Sequence, residues 1–124
     1  MNLIDSSCWI EYFAGTDFCK SYTDKIEQID NVIVPAIVIY EVFKKLLTET
    51  NESKALIAIA HMQLGKVVDI DSNIAMLAAK LSLYYKIPMA DSLILAVSRK
   101  FKAKIYTHDE HFSNIEDVVY IPKN

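Results

Sequence analysis

The sequence predicts an α/β fold, a three-layer α/β/α sandwich around a central parallel sheet of four to five strands. Short β-branched runs alternate with longer helical segments along the whole 124-residue chain, the pattern of successive strand–helix–strand units. The strand candidates are continuous apolar runs rather than alternating ones, as expected of strands covered on both faces. The length points to one domain, residues 1–124.

Met1–Asp5 reads as a buried strand with Asp5 at its C-terminal end. Ser6 and Ser7 can cap a short helix over Cys8–Phe13, which carries Trp9, Ile10, Tyr12 and Phe13. Residues 18–30 place Phe18, Tyr22, Ile26 and Ile29 at helical spacing. Val32–Val34 is a second strand, and Pro35 suits the first turn of a helix over Ala36–Thr50. Asn51 or Ser53 caps the next helix, which runs to about Leu64 and is closed by Gly65. Lys66–Ile70 is a third strand. Asp71 or Ser72 then caps a helix from Asn73 to about Tyr85, broken by Ile87-Pro88. Met89–Phe101 forms a further helix, Lys104–Thr107 a fourth strand and Val118–Ile121 a fifth.

Composition excludes several function classes. With 52% hydrophobic and 23% charged residues, the chain is not intrinsically disordered. Its two glycines, Gly15 and Gly65, cannot build a Gly-rich phosphate cradle. A net charge of −3 argues against nucleic-acid binding driven mainly by counterion release. Cys8 and Cys19 form no metal or disulfide pattern and read as buried thiols in a reducing cytoplasm. The N-terminus lacks the features of a signal peptide, and no uncharged run is long enough to span a membrane.

Four carboxylates stand out. Asp5 and Asp109 follow strand ends, where ligand sites form in parallel sheets. Glu41 and Asp91 interrupt nearly all-apolar helical runs. Each also has an ordinary structural role available: a helix cap for Asp5, an i,i+4 pair with Lys45 for Glu41, a favourable helix-dipole position for Asp91 and a turn for Asp109. Gathered together, such acids repel one another and raise one another's pKa values, a cost that a hard divalent cation offsets. Mg²⁺ or Mn²⁺, which prefer oxygen ligands, match this donor set. They can activate water and hold a phosphodiester for in-line attack.

At these positions the sequence resembles the PIN-domain family, and within it the VapC-type toxins of prokaryotic toxin–antitoxin pairs. The resemblance is carried by Asn2-Leu-Ile-Asp-Ser-Ser-Cys-Trp-Ile-Glu-Tyr-Phe13, Val34-Pro-Ala-Ile-Val-Ile-Tyr-Glu-Val42, Ile87-Pro-Met-Ala-Asp-Ser-Leu-Ile-Leu-Ala96 and Ile105-Tyr-Thr-His-Asp-Glu-His-Phe112. It implies a PIN-like fold and a Mg²⁺- or Mn²⁺-dependent endoribonuclease, with Asp5, Glu41, Asp91 and Asp109 as catalytic and metal-binding residues. It further implies supporting roles for Ser7 and Thr107, a cognate antitoxin whose tail blocks the site, and a homodimer. In many relatives an acid stands two residues after the last one, and here that position is His111, which leaves one or two metals open.

Lys44 and Lys45, one turn beyond Glu41, are candidates for contact with RNA phosphates. Arg99, Lys100, Lys102 and Lys104 form a basic run that reads as a solvated helix end or a second phosphate contact. His108 and His111 make an H-x-x-H, a weak zinc signal. Trp9, Tyr12 and Phe13 read as core or dimer contacts rather than as a stacking platform for bases. Two other functions fit the same architecture: a phosphatase with Asp5 as an aspartyl nucleophile, or a non-catalytic RNA- or protein-binding domain.

Overall fold

A computed structural model describes residues 1–15 and 20–123. Five parallel strands form one sheet: β1 (Asn2–Ile4), β2 (Val32–Pro35), β3 (Lys66–Val68), β4 (Lys104–Thr107) and β5 (Val118–Tyr120), in the order β3-β2-β1-β4-β5. Among the described residues six helices surround it: α1 (Ser6–Ala14), α2 (Lys20–Glu27), α3 (Ala36–Glu49), α4 (Glu52–Met62), α5 (Ser72–Tyr85) and α6 (Met89–Phe101). Two single 3₁₀ turns, Ile29–Asn31 and Glu110–Phe112, precede β2 and β5. The α/β expectation and its parallel sheet are met. Phe18 and Cys19, the first apolar position of the second predicted helix and the second thiol, lie outside the described residues.

The three inner strands explain the apolar runs. Leu3, Ile4, Val32, Ile33, Val34 and Ile105 are fully buried, because helices cover both faces. The edge strands are wetter, with Val67 of β3 40% exposed. Strand β5 needs only residues 108–117 to return parallel to β4, a short link for such a crossover.

Two element ends differ from expectation for steric reasons. Pro35 is the last residue of β2 rather than part of the helix. Its extended backbone (φ −64°, ψ 142°) makes it the residue before α3, a place where a missing N–H costs nothing. Gly65 does not cap α4 in the left-handed conformation; α4 ends at Met62, and Gln63 after it keeps right-handed helical geometry. Glycine is favoured there by a close approach: a Cβ at position 65 would lie 3.0 Å from the Val32 carbonyl oxygen and 3.1 Å from Val34 Cγ2. Both neighbours belong to β2 and cannot retreat, so Gly65→Ala is expected to destabilise the fold by about 1–3 kcal/mol, measurable by urea unfolding.

The aromatic group on α1 is core. Trp9 is fully buried and stacks on Phe13 at 5.6 Å, with Tyr12 and His61 edge-on to it. Cys8, also buried, points its thiol at the Tyr106 carbonyl 3.4 Å away. Among the described residues no helix is long and apolar enough to cross a membrane.

Candidate active site

The strand order creates one switch point. The chain steps outward from β1 to β2 and β3, then crosses back to lay β4 on the other side of β1. The loops leaving β1 and β4 therefore diverge, and a crevice opens at the carboxyl ends of these strands. Asp5 follows β1 and Asp109 follows β4. Glu41 on α3 and Asp91 in the first turn of α6 complete the set, and all four acids line one open cleft of about 340 Å³.

Asp5 is the fixed point. It is 3% exposed, and its amide extends the ladder to the Tyr106 carbonyl (3.0 Å). Its backbone opens α1, but its side chain makes no capping hydrogen bond. Instead Oδ2 accepts from the Thr107 hydroxyl at 2.6 Å and the Ser7 hydroxyl at 2.9 Å. Those two residues also tie the diverging loops together. The Ser7 hydroxyl accepts from the His108 amide (3.1 Å), and the Thr107 hydroxyl accepts from the Asp109 amide (2.9 Å). Burial pushes the Asp5 carboxyl up, and the Thr107 and Ser7 hydroxyls oppose the shift. Thr107→Val removes both bonds while keeping the shape. It is expected to cost about 1–3 kcal/mol of stability, because the buried Asp5 carboxylate keeps only the Ser7 hydroxyl and the Asp109 amide loses its acceptor, read as a lowered urea midpoint.

Glu41 does not form the pair with Lys45 that its spacing allows; Lys45 bonds Glu49 at 3.0 Å instead. Glu41 Oε1 is buried with no hydrogen-bond partner among the described residues. Burial raises its pKa, with the charge of Asp5 adding to the effect. An unpartnered buried carboxylate oxygen beside other acids is a donor suited to a hard cation.

Asp91 and Asp109 meet around His111. The His111 Nδ1 lies 2.9 Å from Asp91 Oδ2 and 3.1 Å from Asp109 Oδ1. One ligand atom from each of these three residues falls within 4.8 Å of the other two. Burial, then the charges of Asp109 and Asp5, push the Asp91 carboxyl up to about 7. The neighbouring charge of Asp109 raises the His111 pKa, which favours the protonated ring between the two carboxylates. Asp109 also keeps the turn role expected of it, its Oδ1 accepting from the His111 amide at 2.9 Å.

The chain is matched over residues 3–118 by the family model of the PIN domain. It belongs to the PIN-domain family. Among solved structures this PIN domain is similar to a toxin–antitoxin complex from Klebsiella pneumoniae (TM-score 0.79, 21% identity, 96% of each chain covered). It is also similar to VapC20 of Mycobacterium tuberculosis, described as a sarcin–ricin-loop-cleaving toxin (TM-score 0.77, 17% identity, 94% of this chain and 95% of that one). A third is the DNA-bound VapBC of Salmonella typhimurium (TM-score 0.77, 11% identity, 98% of each chain). At these identities the likeness is one of fold. No curated protein matches this chain significantly.

Thus this PIN domain brings together all four sequence-predicted acids, with Ser7 and Thr107 behind Asp5. Lys44 and Lys45 flank the site: with Tyr40 and Thr48 they line an adjoining groove of about 370 Å³ that shares Glu41 with the acidic cleft. The H-x-x-H does not converge on one ion. His108 turns inward, its Nδ1 2.9 Å from the Ile121 carbonyl and its Nε2 3.0 Å from the Tyr22 hydroxyl. Two residues of the site were not assigned to it from the sequence. His111 stood out only as half of the H-x-x-H and as a departure from the family pattern. Lys123, which lines the cleft while bonding Glu11 at 2.8 Å, carries no local signal at all.

Proposed function

We propose that the protein is a metal-dependent endoribonuclease and the toxin of a VapBC-type toxin–antitoxin pair, acting on cytoplasmic RNA. The observation that carries this reading is the convergence of Asp5, Glu41, Asp91 and Asp109 at the sheet's switch point, with three of their pKa values raised. Burial first, and then the charges of neighbouring acids, penalise these carboxylates, a cost that a divalent cation relieves. The all-oxygen carboxylate set fits Mg²⁺ or Mn²⁺, and the orphaned Glu41 Oε1 is an available ligand. When bound, the cation supplies an activated water at neutral pH and neutralises charge developing on the phosphate.

The chain's own residues supply the rest. Ser7 and Thr107 hold Asp5 Oδ2 between two hydroxyls and so fix the carboxylate at the wall of the cleft. Asp91 and Asp109 would grip the cation once the His111 imidazole gives up its hydrogen bonds to them. Lys44 and Lys45, exposed beside Glu41, would fix neighbouring RNA phosphates and so place the scissile bond over the acids. Asp5 is a poor candidate for a phosphatase nucleophile, because the second acid such enzymes place two residues on is here Ser7, whose hydroxyl is spent on Asp5 Oδ2. The partner would be a small antitoxin that places a basic side chain among the acids, and the active form would be a homodimer. The solved relatives in complex with antitoxins support the first of these.

Purified protein incubated with mixed cellular RNA tests the reading. Discrete fragments are expected with Mg²⁺ or Mn²⁺, and none with EDTA. Absence of cleavage by folded, antitoxin-free protein would favour a non-catalytic binding domain.

A further inference from the structure

A second and larger cavity, about 580 Å³, lies at the opposite end of the sheet from the acids. Asn2 and Lys104 open β1 and β4 at its floor, the C-terminal turn of α6 gives it Arg99 and Lys102, and α2 contributes Lys25. Among the described residues, Asp117, just before β5, is the one carboxylate on its wall, against four cationic residues from three elements. Among the described residues, no carboxylate lies within 4 Å of the Lys25, Lys102, Lys104 or Arg99 side-chain nitrogens, whereas the neighbouring Lys100 is paired with Asp71 at 3.7 Å.

Helix dipoles account for part of this charge. The C-termini of α2 and α6 each present about half a negative charge, and cations gather there for that reason alone. With Asp117 they offset roughly two of the four positive charges. The surplus stands in a chain whose net charge is −3. Arg99 is moreover held in place rather than waving in solvent. Its Nη2 donates to the Tyr85 hydroxyl at 3.2 Å with the guanidinium near that ring, and its Nε has no acceptor among the described residues. An arginine and three lysines lining one cavity suit phosphate oxygens. The volume is in the range of small-molecule pockets and exceeds what an inorganic monophosphate fills.

We infer that this basic cavity is a binding site for a small phosphate-bearing anion of nucleotide size, its phosphates held by Lys25, Arg99, Lys102 and Lys104. With no Gly-rich loop in the chain, side chains rather than backbone amides provide the cradle. The inference does not depend on the nuclease assignment.

Calorimetric titration of the full chain with ADP and with pyrophosphate, in EDTA to keep divalent ions out of the acidic cleft, tests it. Binding of both at a Kd below about 1 mM is expected, weakening as salt is raised. Lys25→Gln combined with Lys104→Gln changes two accessible side chains and is expected to weaken binding at least about tenfold with thermal unfolding unchanged. Arg99→Lys gives an independent second variant, expected to weaken binding through loss of the fork geometry. Asp91→Asn, at the other end of the sheet, is expected to leave binding intact. The inference is overturned if neither anion binds, if the double lysine variant binds as well as the parent, if a single-stranded oligonucleotide binds where ADP does not, or if Asp91→Asn abolishes binding.

Discussion

Asp5→Asn is expected to reduce metal-dependent RNA cleavage by at least about a hundredfold while leaving the fold intact. Asparagine retains the size of the side chain and one acceptor oxygen for the Thr107 and Ser7 hydroxyls, so the ties between the β1 and β4 loops survive. What disappears is the negative charge at the centre of the cleft. A bound cation contributes several kcal/mol of transition-state stabilisation, and each 1.36 kcal/mol is about tenfold in rate, so weakening its seat reaches that size. Cleavage of one RNA by parent and variant at matched metal concentration measures the effect. Full activity in Asp5→Asn would remove Asp5 from the catalytic machinery.

Asp91→Asn is expected to abolish cleavage and, at the same time, to stabilise the metal-free protein at pH 8. The Asp91 carboxyl titrates near 7 in the folded chain against an ordinary value of 3.8, so the folded state binds more protons than the unfolded one. Stability from this group is therefore complete below about pH 4 and is lost as the pH rises toward 7. The raised His111 pKa acts in the same direction. At pH 8 the parent holds an ionised, nearly buried Asp91 beside Asp109 and Asp5, a burden the neutral amide does not carry. With a shift of about three units at 1.36 kcal/mol each, the gain is on the order of 1–4 kcal/mol. It should fade toward pH 4 and be masked when Mn²⁺ stabilises only the parent. Thermal unfolding in EDTA between pH 4.5 and 8 checks this. A variant less stable than the parent at every pH would mean that Asp91 is a structural residue.

The same residues show why some of the site was legible in the sequence. Asp5 and Asp109 could be placed because strand ends are readable from apolar runs and because parallel sheets bind ligands there. Glu41 and Asp91 could be placed because a charge inside an apolar helical run has few reasons to exist. Spacing alone was a poorer guide: Glu41 and Lys45 stand at the right interval for a pair, yet Lys45 prefers Glu49, since Glu41 faces the cleft. His111 belongs to a 3₁₀ turn with no periodicity, and its contact with Asp91 joins residues far apart in the chain, so only the folded molecule displays it. Gly65 looked like a helix cap, whereas its need for glycine comes from β2 packing against it.

The central claim is that the four acids form a seat for a divalent cation, and Mn²⁺ titration followed by calorimetry tests it most directly. Saturable binding at pH 8 is expected, weaker at pH 5.5, where Asp91 is protonated, and strongly weakened in Asp5→Asn and Asp91→Asn. Absence of binding at pH 8, or binding indifferent to both replacements, would contradict it.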